Sequence, residues 1–245
     1  MRRLGRTDVE LPPIIWRISE NWSRDLLDAV GGEWVLAPSG SYRAELHGLK
    51  VLLGIEADAL RPRSNAAIEY RLSELGLSHC AAVVLQGTSA EDVKSGWPFH
   101  RVISLREKGL AQLAMVETHE VLEAEWLVEN SPAHAVLAPY GIAEMSAAYR
   151  LLDAAREVGT GILATRPPGA TSSMDVTDLQ LRLSDERIAA AIEPLPRSDA
   201  DLAVIQEAMK TRLSAERRRE LWDDFTSRVP PPPPLRSGHP PEYGA

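Results

Sequence analysis

Four polar side chains stand at or near the ends of short apolar segments in this chain. Glu56, Gln86 and Glu117 each end an apolar run, and Tyr42 lies in the connection before the first of these runs. Carboxylate, amide and phenol groups bind ligands and exchange protons, so together they could carry general acid–base chemistry. This chemistry requires that the apolar segments place the four side chains at one edge of the fold. The candidate catalytic residues are therefore Tyr42, Glu56, Gln86 and Glu117.

Short β-type runs alternate with longer helical patterns, which predicts an α/β protein with a parallel sheet. The predicted strands cover 13–18, 33–37, 51–56, 81–86, 112–117, 135–139, 161–165 and 188–193. The predicted helices cover 23–30, 42–50, 64–75, 98–108, 119–128, 145–158, 199–210 and 215–225. No G-x-G-x-x-G motif follows the first strand, so a trimmed (β/α)₈ TIM barrel is favoured over a doubly wound sheet. In such a barrel the carboxyl ends of the strands form the functional rim.

Composition narrows the class of partner. The formal net charge of −8 over 245 residues argues against a nucleic-acid-binding surface, which needs a basic face. No long apolar run is present, so we expect no membrane segment, and the plain expectation is a cytoplasmic protein. The single cysteine, Cys80, rules out an internal disulfide and a multi-cysteine metal cluster. The spacing of His100, His119 and His134 matches no metal-ligand pattern, so we predict no metal site.

A proline-rich segment follows the last predicted helix. Pro230–Pro234 cannot continue a helix and favours an extended polyproline conformation. We therefore predict a barrel domain over residues 1–227 and a proline-rich C-terminal tail over 228–245. Arg228, Pro231 and Pro234 fit an R-x-x-P-x-x-P spacing, so the tail either lies in solvent or over the barrel, or engages a protein partner.

Several segments, taken in order over about residues 2–225, resemble the aldo-keto reductase family. The matching stretches are Arg3–Thr7, Leu11–Pro13, Ala37–Gly48, Arg71–Leu77, Leu105–Gly109, Pro139–Gly141, Gly159–Pro167 and Leu213–Glu216. The resemblance implies a (β/α)₈ barrel that reduces carbonyls with a hydride from NADPH. It also implies a tyrosine that donates a proton, a lysine and an aspartate that tune that tyrosine, and a histidine that orients the substrate.

The residues that this resemblance assigns to catalysis differ in the present chain. The aspartate position falls at Val35, the lysine position at Glu56 or Ala57, and the histidine position at Gln86. Tyr42 is the candidate tyrosine, about two residues from the aligned place, which is Gly40. The resemblance therefore predicts a barrel that does not reduce carbonyls by the usual four residues.

The positions that would hold the nucleotide are also altered. The pair that should bind the nicotinamide amide is Glu117 and Thr118. Arg166, Arg197, Ser198 and Thr118 are the candidate cofactor-binding residues, because a helix start with arginine and serine suits a phosphate. Asp199 and Asp201 in the same helical turn would repel a phosphate. Binding of NADP(H) is left open, and no cofactor is the main expectation.

Three functions follow from these residues. The first is a pseudoenzyme, that is, a non-redox binding or auxiliary protein that takes a small-molecule ligand at the barrel mouth or a protein partner. The second is an enzyme with rebuilt acid–base chemistry at the same mouth. The third is an NADP(H)-dependent oxidoreductase of non-standard mechanism.

Overall fold

A computed structural model of the chain describes residues 1–20, 22–40, 45–61, 65–167 and 175–231. In these ranges eight parallel strands form a closed barrel in the order β10-β3-β4-β5-β6-β7-β8-β9. A short antiparallel hairpin, β1 (Arg2–Arg3) and β2 (Glu10–Leu11), precedes the barrel. The barrel strands are β3 (Ile14–Arg17), β4 (Trp34–Ala37), β5 (Lys50–Glu56), β6 (Cys80–Gln86), β7 (Ala111–Glu117), β8 (Ala135–Pro139), β9 (Gly161–Thr165) and β10 (Ile188–Pro194). The predicted (β/α)₈ barrel and its eight strands are confirmed.

Helices follow most of the strands and surround the barrel. They are α1 (Arg24–Ala29), α2 (Ala66–Glu74), α3 (Ala90–Ser95), α4 (Trp97–Glu107), α5 (Val121–Asn130), α6 (Leu151–Val158), α7 (Val176–Ser184), α8 (Asp199–Lys210) and α9 (Ala215–Arg228). Short 3-10 turns cover Ala57–Leu60 and Ser146–Ala148. None of the helices in the described ranges combines the length and the apolar character needed to cross a bilayer.

The unit between β4 and β5 differs from its prediction. A helix was expected over 42–50, but residues 45–49 form irregular chain and a turn, and residues 41–44 lie outside the described ranges. Gly48 has φ +79°, a left-handed conformation that interrupts a helix and that glycine adopts without strain. Over residues 45–49 the predicted helix is therefore absent.

Two apolar layers hold the barrel together, and the alternation of side chains along each strand separates them. The inner layer includes Leu52, Val84, Met115 and Leu137, with Leu4 and Leu11 of the hairpin packed against the same cluster. The outer layer lies between the strands and the helices. Each fully buried leucine in these layers contributes about 1.5–3 kcal/mol relative to an exposed one. The hairpin thus closes one end of the barrel with apolar side chains.

The same alternation decides which polar residues reach the other end. In β7, Leu113 and Met115 belong to the inner cluster, so Glu117 is the next inward residue at the end of the strand. Glu56 of β5 pairs in register with Gln86 of β6. Val35 alternates the other way and lies in the outer layer, fully buried. Val35, the position to which the resemblance assigns the family's aspartate, therefore does not share the mouth with Glu56 and Gln86.

Candidate functional site

Glu117 is at the centre of the polar groups at the carboxyl end of the barrel. Its side chain is 3% exposed. One carboxylate oxygen, Oε1, accepts a hydrogen bond from Nη2 of Arg17 at the end of β3. The other oxygen, Oε2, accepts from Nε2 of Gln86 at the end of β6. A charge buried at this depth needs such partners, because an unpaired carboxylate would lose its solvation without compensation.

Gln86 connects Glu117 to the outer edge of the mouth. Its Oε1 atom accepts from the backbone N–H of Ser39 at 2.9 Å, and the Ser39 hydroxyl donates to Oε1 of Glu56 at 2.7 Å. Gly54 permits this approach, because a Cβ atom there would lie 2.8 Å from both Gln86 Oε1 and Ser39 N. We call the connected residues the mouth network; its members are Arg17, Ser39, Glu56, Gln86 and Glu117.

Two clefts open beside the mouth network. The first, the acidic cleft, has a volume of about 710 Å³ and is lined by Pro38, Ser39, Glu56, Gln86, Gly87, Thr88, Glu117, Thr118, His119, Glu120 and Glu123. Among the residues that the structure describes, its lining contains four glutamates and no lysine or arginine. The second, the arginine-side cleft, has a volume of about 550 Å³, and its lining includes Arg17, Arg197, Glu20 and Trp22. The described lining of the arginine-side cleft thus holds two arginines and one glutamate, and one of these arginines, Arg17, is paired with Glu117.

Thr118 is held by the start of α5. Its hydroxyl donates to Oε2 of Glu123 and accepts from the backbone N–H of Glu120 at 3.2 Å. The residue is buried. Both hydrogen-bonding roles of this hydroxyl are thus used within the loop that follows β7.

Arg166, predicted to bind a cofactor, belongs to a buried ion cluster outside the barrel wall. Its Nε donates to Oε2 of Glu193 at 2.8 Å. Glu193 is 0% exposed and also accepts from Nη1 of Arg182, whose Nη2 donates to Oδ2 of Asp178 at 2.7 Å. The other oxygen of Asp178 accepts from the backbone N–H of Ile142 at 2.7 Å. The cluster therefore ties the loops after β8 and β9 to α7 and β10.

Arg197 and Ser198 form the start of α8. The Ser198 hydroxyl accepts from the backbone N–H of Asp201 at 3.2 Å, and the Asp201 carboxylate accepts from the backbone N–H of Arg197 at 2.9 Å. These bonds satisfy the first helical N–H groups, and Asp199 and Asp201 suit the positive end of the helix. The Arg197 side chain is exposed at the arginine-side cleft.

Tyrosines in the described ranges lie away from the mouth network. Tyr42 is among residues 41–44, outside those ranges. Tyr140 is 3% exposed, and burial together with the nearby Asp185 carboxylate raises the pKa of its phenol above the ordinary value. The Tyr149 hydroxyl donates to the Val229 carbonyl at 2.9 Å. Of the described tyrosines, none lines either of the clefts beside the mouth network.

Sequence reasoning missed two residues of this region. Arg17 was read as part of the first strand, although a charged residue after the apolar run Ile14–Trp16 was a signal that it faces the mouth. Glu193 ends the last predicted strand, but nothing in the neighbouring residues predicts that its carboxylate is fully buried beside Arg182. In the described ranges no group of three or more histidine, cysteine, aspartate or glutamate side chains could hold a metal ion.

Comparison with known proteins identifies the fold. An aldo-keto reductase from Bacillus halodurans in its holo form superposes with a TM-score of 0.72 and 13% identity, covering 91% of this chain and 94% of that chain. A thermostable aldo-keto reductase in complex with the inhibitor epalrestat gives a TM-score of 0.66 and 17% identity, with 90% and 97% coverage. The aldose reductase from Schistosoma japonicum gives 0.67 and 12%, with 91% and 92% coverage. No family model matches the sequence, and no curated protein is similar to it. The chain therefore has the aldo-keto reductase fold, as the ordered segments predicted.

Proposed function

We propose that this chain is a non-redox binding protein that keeps the aldo-keto reductase barrel and takes a small ligand at its mouth. The observation that carries the proposal is the mouth network. Glu117 occupies the inward position at the end of β7, and its two oxygens already accept from Arg17 and Gln86. The members of the mouth network are thus bonded to one another, and Glu56, the exposed member, stands at the rim where a ligand can reach it.

Carbonyl reduction in this fold family depends on a proton donor with a tuned pKa. At the matching positions the chain carries Glu56 and Gln86, and Val35 lies in the outer apolar layer. Gln86 does not titrate, and Val35 has no charge. Loss of one proton-transfer group typically lowers a rate by on the order of 10²–10⁴, and here more than one is replaced. This supports a binding role over the family reaction.

NADP(H), the cofactor that the fold family implies, fits these residues poorly. Arg166 is bonded to Glu193, Ser198 accepts from the first turn of α8, and Thr118 is bonded to Glu123. Arg197 has an exposed side chain, but Asp199 and Asp201 lie next to it. The glutamates of the acidic cleft also oppose the phosphates of a dinucleotide. We therefore derive no step through this cofactor.

The acidic cleft favours a ligand with hydrogen-bond donors, such as hydroxyl or amine groups. Glu56 is exposed at its edge, and Glu120 and Glu123 line the same volume of about 710 Å³. Carboxylates accept hydrogen bonds from such groups, and the bonds are stronger because the acceptor is charged. A cytoplasmic location and a separate tail over residues 228–245 remain parts of this proposal.

The test is a titration with NADPH, followed by tryptophan fluorescence and by melting temperature. A nucleotide that binds only the native state at a hundred times its Kd adds about 2.7 kcal/mol of stability. For a chain of this size that is about 5–11 °C in melting temperature. We expect no such shift and no reduction of simple aldehydes. Saturable NADPH binding together with a kcat of about 1–10³ s⁻¹ would overturn the proposal.

A second candidate, an enzyme with rebuilt acid–base chemistry, is favoured by one observation. Glu117 is a buried carboxylate at the floor of a cleft that also contains Glu56 and His119. Such groups can exchange protons with a bound substrate. The test is whether the protein converts a ligand that binds at the acidic cleft into a product. Conversion that is lost in both Glu117→Gln and Glu56→Gln would support this candidate over simple binding.

A further inference from the structure

A third concave surface lies at the opposite end of the barrel from the mouth network. It has a volume of about 400 Å³ and is built from the β1–β2 hairpin, the end of α6, the start of β9 and the chain before β10. We call it the basal cleft; its lining is Arg3, Gly5, Arg6, Ala155, Arg156, Gly159, Thr160, Gly161, Glu186, Arg187 and Ala189. The hairpin that closes the barrel is thus also one wall of a cleft.

The basal cleft concentrates positive charge in an acidic protein. Four arginines and one glutamate line it, although the chain has a formal net charge of −8. The Arg156 side chain is exposed and makes no hydrogen bond or ion pair within the part of the chain that the structure describes. Arg3 donates from Nε to the Thr7 carbonyl at 2.6 Å and pairs with Asp8 at 3.0 Å, whereas Arg6 uses one guanidinium nitrogen, Nη2, for the Glu157 carbonyl. Arg156 and the remaining donors of Arg6 are therefore the groups that an incoming anion can reach.

Arg187 is held in place at the wall of the cleft. It contacts Asp185 at 2.8 Å and Asp153 at 2.9 Å. Its hydrogen bonds to Asp185, with Asp153 adding to the effect, raise its pKa above the ordinary value, so this side chain stays charged. These two carboxylates do not themselves line the cleft.

Close backbone packing fixes the position of Arg6. Its backbone N–H donates to the Gly159 carbonyl at 2.9 Å, and its Nη2 donates to the Glu157 carbonyl at 2.9 Å. These bonds cover carbonyls at the end of α6, which would otherwise present negative charge to the cleft. A Cβ atom at Gly159 would overlap the Arg6 side chain, and Gly159 has φ +81°. The arginine is thus seated against a position where only glycine fits.

Thr160 adds a hydrogen-bonding group at the same wall. The residue is 8% exposed and lines the cleft. Its hydroxyl is both a donor and an acceptor on the cleft wall, where it can bond a ligand that enters the cleft.

We propose that the basal cleft binds a small oxyanion, a phosphate group or a carboxylate, between Arg6, Arg156 and the Thr160 hydroxyl. Guanidinium groups bind such anions with paired, charge-assisted hydrogen bonds, and a hydroxyl donates one more. This site is independent of the mouth and of the function proposed for it.

The test is calorimetric titration of the whole chain with inorganic phosphate, sulfate and citrate, at constant ionic strength set by chloride. Constant ionic strength matters because exposed charges are screened within about 10 Å at 0.1 M salt. We expect saturable binding with a Kd in the low millimolar range or tighter, which corresponds to about −4 kcal/mol or better. Preference for phosphate over citrate, or the reverse, distinguishes a phosphate ligand from a carboxylate ligand.

Three variants locate the binding. Arg156→Gln should weaken the anion about tenfold, as expected for one charge-assisted hydrogen bond. Thr160→Val should weaken it a few-fold without changing the net charge. Lys94→Gln removes the same charge as Arg156→Gln from the exposed surface of α3, at the mouth end, and should leave the Kd unchanged.

Two results would overturn the proposal. One is the absence of saturable binding for all three anions. The other is equal weakening by Arg156→Gln and Lys94→Gln, which would mean that the anion responds to net charge alone. Glu56→Gln, at the mouth, should not affect anion binding, so this test and that of the proposed function fail separately.

Discussion

Replacement of Glu193 by glutamine tests whether the buried ion cluster is structural. Glu193 is 0% exposed and accepts hydrogen bonds from Arg166 and Arg182, and Arg182 is itself 1% exposed. Two guanidinium groups and two carboxylates make the cluster neutral. Glu193→Gln keeps the shape and one acceptor oxygen but leaves one buried positive charge without compensation.

The size of the effect follows from this burial. Removing one partner of a buried ion pair costs about 3–5 kcal/mol, and the remaining acceptor oxygen places the change near the lower end. For a chain of this length each kcal/mol lowers the melting temperature by about 2–4 °C, so we expect a loss of about 6–12 °C. Arg166→Met should cost about 1.5–3 kcal/mol, because Arg166 is partly exposed and loses one charge-assisted hydrogen bond.

Urea unfolding measures the change as a lower midpoint with an unchanged slope. Glu69→Gln, on the exposed face of α2, is the control for loss of one carboxylate and should stay within about 0.5 kcal/mol. The reasoning would be refuted if Glu193→Gln cost less than about 1 kcal/mol while Arg166→Met left stability unchanged and weakened NADPH binding. Arg166 would then serve a cofactor, as the sequence resemblance implied.

Three further predictions concern the mouth, the cysteine and the tail. Glu117→Gln should lower the free energy of unfolding by about 1–3 kcal/mol, because Glu117 accepts hydrogen bonds from Arg17 and Gln86. It should also weaken the binding of any ligand of the acidic cleft more than Tyr42→Phe does. Melting curves and ligand titration test this, and equal effects of the two variants would contradict it. Burial raises the pKa of Cys80 to about 12, so its thiol should react with an alkylating reagent at neutral pH far more slowly in the native than in the urea-unfolded chain. Similar alkylation rates of the native and the unfolded chain would contradict a buried thiol. Because the unfolded thiol ionises at a lower pH than the native one, the free energy of unfolding should also fall between about pH 9 and pH 12, by at most about 1.4 kcal/mol per pH unit. Truncation after Pro231 keeps the bond between the Tyr149 hydroxyl and the Val229 carbonyl, so the melting temperature should change by less than about 4 °C; a sharp fall would make the tail structural.

The strands could be predicted because local signals agree there. Each barrel strand is a short apolar run, and glycines such as Gly76, Gly109 and Gly159 mark the ends of the preceding helices with positive φ. The helix α7 gave no such signal. Leu179, Leu181 and Leu183 alternate like a half-buried strand, yet in the structure they belong to a helix whose Arg182 is buried as well. When a helix is covered on several sides, its apolar residues do not fall on one face, so the helical spacing of apolar residues is missing from the sequence.

The candidate site could be predicted only in part, because its contacts are distant in sequence. Glu56, Gln86 and Glu117 each end an apolar run, and this position alone predicts that all three lie at the same end of the barrel. The partner of Glu117, Arg17, lies 100 residues earlier, and only closure of the barrel brings the two together. The family-like segment assigns Arg166 to a cofactor, but its contact with Glu193 arises from the pairing of β9 with β10, in which Ala164 lies opposite Ala191.

The mouth network explains how the barrel tolerates carboxylates where the family resemblance expects other groups. The two apolar layers pack the strands, and the rim residues add only their own polar contacts to this packing. A buried glutamate in that position is nevertheless costly by itself. Arg17 and Gln86 satisfy both oxygens of Glu117, and Ser39 links Gln86 to Glu56. Because Gln86 bonds both the Ser39 N–H and Glu117, replacing Gln86 by the family's histidine would leave one of these two groups without its partner. The mouth network is therefore a set of mutually dependent contacts, and replacing its members by the family's catalytic residues would require several changes together.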